Sequence, residues 1–293
     1  RRSRTHARPR GRRLKRALAS AINARPHELG GALAAFATAF AMFSAYAILR
    51  PIRETMGITS GLQTLPALFW GTFAGMLLVQ PVYGWLTSRY RRSAFLPWVY
   101  LFFVLNIVGF YAWFNLQEDH TWIARAYFIW VSVFVLFVVA VFWSLMADVF
   151  SRQQAGRLFG FVAAGLSTGG LFGPFLGARL AQPIGTINLL LVSAALLTIS
   201  LGCMLLVLRW HRRHGENTAP GEDRDARLGG TALAAFKQVA RSPYLALIAL
   251  FVFLLTWVST FLYLEQQALV AEVFADRDSR TAFFNRLDFW VQA

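Results

Sequence analysis

Seven stretches of roughly twenty mostly apolar residues divide this 293-residue chain, and that pattern leaves few folds open. In lipid every backbone N–H and C=O must be satisfied internally, so such runs are read as membrane-spanning helices. They are predicted over residues 30–49, 64–86, 94–114, 124–150, 158–180, 186–208 and 243–264. From residue 280 the chain reads as the start of an eighth. With 57% hydrophobic and 15% charged residues, the composition agrees. The expected fold class is an all-α polytopic membrane protein. Four parts are expected: a basic tail (1–28), a six-helix bundle (29–209), a polar connector (210–242) and the start of a second bundle (243–293). The first residue is not Met and the last lies in an apolar stretch, so a fragment is expected whose missing C-terminal half is its partner.

The net charge of +15 is unevenly placed, with ten basic residues among the first 28. On a soluble protein such an arm would suggest nucleic acid. Ahead of a membrane span it reads as a topology signal against anionic lipid, so the expected partners are the bilayer and a small-molecule solute, with no nucleic acid. Of the 29 Lys and Arg residues, 22 fall in the tail, the 2–3 and 4–5 loops and the connector, and seven on the opposite side. The positive-inside rule then places the N-terminus and connector in the cytoplasm. The apolar run after the tail is too long for a cleaved signal, and no small-residue cleavage site follows it. Cys203 is the single cysteine, so no disulfide or Cys-based metal site is expected. The five histidines lie in loops or tails without ligand spacing. No catalytic cluster is apparent, so neither an enzyme nor a cofactor or metal is expected.

Residues 160–177 read GFVAAGLSTGGLFGPFLG. Gly165, Gly169, Gly173 and Gly177 recur every four residues and form a stripe that lets another helix approach closely, while Pro174 removes a backbone bond. A bare stripe of this kind fits a static helix-packing face. The longer G-x-x-x-G-P-x-x-G run from Gly169 resembles the fifth-helix motif of antiporters in the major facilitator superfamily. Gly84-Trp85-Leu86-Thr87-Ser88-Arg89-Tyr90-Arg91-Arg92 partly resembles that family's 2–3 loop signature, with Ser88 in place of Asp. Gly84 and Arg89 are therefore candidates for a cytoplasmic gate, or else part of a basic topology loop. The resemblance implies a major-facilitator bundle: the N-terminal six-helix half, the connector and the start of the second half.

Tyr46, Arg50 and Arg53 follow i, i+4, i+7 spacing at the end of span 1 and share one side of a helix. Two guanidiniums there either offer planar donor forks to a phosphate or carboxylate, or snorkel to the interface with Glu54 pairing Arg50. This stretch, with Phe142-Trp143-Ser144 and Asp148 in span 4 and Tyr263-Leu264-Glu265-Gln266 in span 7, resembles bacterial relatives of the ATP:ADP antiporter branch. That implies a bacterial inner membrane and a basic first-helix stretch facing an anionic solute. Asp148 and Arg152 form either an interfacial ion pair or a cytoplasmic gate. In span 7, Thr256, Ser259, Thr260, Tyr263 and Gln267 fall on one face, and Glu265 points away from it. Glu265 is either a proton or counter-ion site, or an exposed helix-end charge.

The expected function is secondary transport of a small polar, anionic solute by alternating access, with nucleotide or phosphorylated-metabolite exchange as the specific form. A proton-coupled drug or metabolite antiporter and a non-transporting scaffold or receptor are the alternatives. If the tail is a topology signal, removing residues 1–16 lowers the inserted fraction, measured by membrane fractionation, and leaves the activity per inserted molecule unchanged. Full insertion with lost activity would instead favour nucleic-acid binding.

Overall fold

The computed structural model describes residues 24–25, 27–89, 92–214 and 242–293. Among these are eight α-helices, one 3-10 turn and no strand. They are α1 (Leu29–Thr59), the turn Leu62–Thr64, α2 (Leu65–Arg89), α3 (Arg92–Leu116), α4 (Thr121–Val149), α5 (Arg152–Ile184), α6 (Leu189–His214), α7 (Pro243–Val273) and α8 (Arg277–Gln292). All but α8 are long and apolar enough to cross a membrane. The helices outrun the predicted spans. With 31 residues, α1 is about 46 Å long against a hydrocarbon layer of about 30 Å. It runs unbroken through Pro51, so Tyr46, Arg50 and Arg53 share one helix.

Two compact units are present. One holds α1–α6 with α8, and α7 is the described part of the other. In the first unit α1 is the central element. It packs against α4, α5, α6 and α8, and Ala32, Ala35, Ala39, Ala45 and Ile48 are buried along it. Helices in lipid are held by close packing and interhelical hydrogen bonds rather than by hydrophobic exclusion. Both devices are present. From α6, Ser193 and Ser200 donate to the carbonyls of Ala45 and Thr38, at 2.9 Å each. Tyr100 of α3 donates to the Met42 sulfur at 3.1 Å, and Tyr127 of α4 to the Leu49 carbonyl at 3.3 Å.

The close packing comes from glycine. A Cβ on Gly165 would sit 2.7 Å from the Phe36 carbonyl oxygen, and one on Gly173 2.6 Å from that of Ser44; one on Gly169 would collide with the Phe40 carbonyl. Backbone of α1 therefore lies directly on α5 at three successive turns. The predicted stripe divides at its end: Gly177, with the offset Gly170, accommodates Asn285 and Gln292 of α8. A second pair missed in the sequence, Gly71 and Gly75 of α2, receives Ile129 and Val133 of α4. At the start of α5, Ser151 and Gln154 form a reciprocal capping box.

Gly173→Ala is expected to destabilise the protein by about 1–3 kcal/mol, because the added methyl meets fixed backbone. Gly160→Ala on the same helix, where a Cβ meets open space, should be neutral or slightly stabilising. Thermal unfolding of the two variants in detergent measures the difference.

Candidate functional site

The polar end of α1 gathers charge from three helices. Arg53 is mostly buried. Its Nη1 donates to Ser132 Oγ of α4 at 3.0 Å, and its Nη2 pairs with Glu54 Oε1 at 2.6 Å. The guanidinium also lies 4.9 Å over the Phe128 ring, a cation–π distance. Ser132 in turn donates to the Phe128 carbonyl at 3.1 Å, which fixes its hydroxyl as an acceptor toward Arg53. Arg50 faces the other way and pairs with Asp288 of α8 at 3.4 Å. Its side chain is 46% exposed, against 14% for Asp288. Tyr46 lies half-buried one turn before Arg50 and packs its ring on Phe43, with centroids 5.4 Å apart. Sequence spacing suggested an Arg50–Glu54 pair at i+4. The structure instead gives Glu54 to Arg53 and Asp288 to Arg50.

Beside this cluster α8 is anchored by polar contacts. Thr281 is hydrogen-bonded to Thr55 of α1 at 2.8 Å and receives Thr186 at 3.0 Å. Asp278 accepts from the Thr186 backbone at 2.7 Å. Arg277 lies 2.8 Å from His120 Nδ1. A guanidinium only donates, so Nδ1 accepts and the ring proton sits on Nε2, donated to the Phe114 carbonyl at 2.9 Å. Asp276 caps α8, accepting from the Ser279 N–H, and this bond holds its carboxyl below the usual range.

The predicted span 7 residues lie on α7, which is continuous through Glu265. Thr256, Ser259 and Thr260 are exposed, and each donates to a carbonyl of its own helix at 2.8 Å. Tyr263 is half-buried, Gln267 is buried and Glu265 is exposed, as the helical period requires of opposite faces. Of the gate candidates, Gly84 lies in α2 with open space at its Cβ position, and Arg89 is the last residue of that helix. Asp148 is half-buried near the end of α4, and the exposed Arg152 begins α5.

At this same end a different acid is the central one. Glu28, ahead of α1 and 1% exposed, accepts from the Arg25 N–H at 2.8 Å, Gln154 at 3.2 Å and Arg157 at 2.9 Å. Trp210 of α6 donates to the neighbouring His27 carbonyl at 3.0 Å and lies flat on Gly31. Spacing could not reveal Glu28, since its side-chain partners Gln154 and Arg157 are 126 and 129 residues away. The described His, Cys, Asp and Glu residues form no group of three or more suited to a metal ion.

The family model described as Major Facilitator Superfamily matches residues 31–270. The chain belongs to the major facilitator superfamily. Two curated relatives of this superfamily member are both described as ADP,ATP carrier protein 2. One, from Chlamydia pneumoniae, is 27% identical over 163 residues, covering 45% of this chain and 30% of the carrier. The other, from Chlamydia trachomatis serovar D, is 23% identical over 172 residues, covering 47% and 31%. The match thus spans about a third of these relatives' length. No solved structure matches the chain. Its seven membrane-compatible helices make this superfamily member a multi-pass membrane protein.

Burial alone would push the Glu28 carboxyl up, but the hydrogen bonds from Arg25, Arg157 and Gln154 outweigh it and hold it below the usual range. A depressed folded pKa stabilises above the ordinary value of 4.5, and that stabilisation is lost as pH falls through the folded value. Glu28→Gln is therefore expected to destabilise by about 1–3 kcal/mol at pH 7, with the deficit shrinking below about pH 4.5. Thermal unfolding followed across pH 3–7 checks both the size and the window.

Proposed function

We propose that this superfamily member is part of a secondary carrier for a small anionic solute, with Arg50 and Arg53 as the attracting pair. The observation that carries the reading is the placement of two guanidiniums on one helix, one of them half-exposed and held by a single carboxylate. Charge at membrane depth is costly and normally serves a cavity, a partner or a pathway. Each guanidinium offers a planar fork suited to phosphate or carboxylate oxygens.

Phe43 and Tyr46 add an aromatic surface one to two turns away, which suits a solute with a planar ring. The similarity to chlamydial ADP,ATP carriers points the same way, so exchange of a nucleotide or phosphorylated metabolite is the specific form proposed. Two arginines do not offset a full triphosphate, so further basic groups are expected from the second half of a complete carrier. In this reading Thr256, Thr260, Tyr263 and Gln267 on one face of α7, and Glu265 on the other, are further candidate solute-binding residues. The N-terminus and connector face the cytoplasm of a bacterial inner membrane, following the 22-to-7 division of basic residues. Gly84, Arg89, Asp148 and Arg152 then lie on the cytoplasmic side as gate candidates.

Counterflow of labelled ATP into ATP-loaded liposomes tests the reading with the full-length carrier. Arg50→Ala with Arg53→Ala removes two charged donors, and the exchange rate should fall by about a hundredfold. Unchanged exchange in that double variant would reject the role of the pair. Uptake driven by a pH gradient, without internal nucleotide, would instead favour proton-coupled antiport.

A further inference from the structure

Resting on the anionic-solute reading above, we propose that Asp288 is an internal stand-in for the solute, occupying Arg50 while the carrier is empty and so latching α8 to α1. Two cations and two carboxylates make up the cluster: Arg50, Arg53, Glu54 and Asp288. It is neutral as it stands, so an arriving anion binds well only if one carboxylate gives way.

The two pairs differ in how easily they part. Glu54 is the chain neighbour of Arg53, the contact is 2.6 Å, and Ser132 and the Phe128 face hold the guanidinium on its other sides. This is a short charge-assisted bond in a mostly buried setting. Asp288 reaches Arg50 from another helix, at 3.4 Å, and leaves that guanidinium 46% exposed. The longer, wetter contact is the weaker one, and the half-exposed Arg50 side chain is within reach of a competitor. A phosphate or carboxylate presents to that fork the same oxygen chemistry that Asp288 does, with more charge in the case of phosphate.

Displacement would carry a mechanical consequence. Once freed, Asp288 has lost its counter-ion while the acidic Glu54 remains in the cluster, and like charges in a partly buried site repel. Asp288 sits on a helix held by Thr281 on Thr55 and Thr186, by Asp278 on the Thr186 N–H, by Arg277 on His120, and by packing on α5 in which Asn285 and Gln292 lie against Gly177 and Gly170. The solute therefore binds better to the state in which α8 has moved away from α1, and it shifts the population by that difference. An empty carrier keeps the latch, which must open before the unloaded return, so exchange outpaces net efflux.

The test uses the full-length carrier in liposomes loaded with labelled ATP. Exchange is read with ATP outside, and net efflux with none outside. Asp288→Asn keeps the side-chain shape and removes the charge. Net efflux relative to exchange is expected to rise by about tenfold, and Asp288→Glu should return it toward wild type. A ratio in Asp288→Asn equal to wild type overturns the proposal while leaving the anionic-solute reading intact. Absence of ATP exchange in the wild type overturns both.

A second measurement does not depend on the variant. With Cys203→Ser, spin labels placed by Trp290→Cys on α8 and Ile199→Cys on α6 report the position of α8. The distance distribution is expected to shift on adding ATP to the otherwise wild-type carrier. An unchanged distribution overturns the latch.

Discussion

The direct contact of the α1 backbone with the glycine face of α5 is the constraint on which the rest of the six-helix unit depends. At Gly165, Gly169 and Gly173 no side chain separates the two helices. Every other contact of α1 is then set by that alignment. Ser193 and Ser200 reach its carbonyls from α6, Tyr100 and Tyr127 reach it from α3 and α4, and the three residues 50, 53 and 54 are carried to one end. In lipid the gain comes from dispersion over a close interface and from interhelical hydrogen bonds, and both fall off over a few tenths of an ångström.

The same helix distributes charge to its two ends in different ways. At one end Glu28 is almost fully buried and bonded by three donors from two segments, which makes a rigid tie between the starts of α1 and α5. At the other, one pair is short and enclosed while the second is long and half-exposed. The first end is tied by several bonds at once, whereas Arg50–Asp288 is a single, longer and more exposed contact.

Much of the architecture was legible from the residues. The bilayer forces long apolar helices, so their number and order followed directly, as did the Gly165–Gly177 packing stripe; Tyr46, Arg50 and Arg53 share one helix as expected, but Arg50 turns to α8 and Arg53 to α4. What spacing could not supply was partnership across the chain. Ser132 is 79 residues from Arg53, and Asp288 reads in sequence as one acid in a short amphipathic stretch. The i+4 rule suggested Glu54 for Arg50, yet helical neighbours compete with tertiary ones, and Arg53 lies closer to Glu54. The stripe itself divides between α1 and α8 because one helix face is wide enough to meet two neighbours.

The sequence by itself determined that this chain crosses a membrane repeatedly as helices, which helix carries a close-packing face, and that Arg50 and Arg53 end the same span. Those properties depend on hydrophobicity and on the 3.6-residue period, both local. Only the tertiary structure decided which surface fills each glycine notch, that Glu28 is the tie at the start of α1, and that Asp288 holds Arg50. Those outcomes depend on distances between residues far apart in the chain. A salt bridge or a close contact changes sharply over an ångström, a scale that periodicity does not encode.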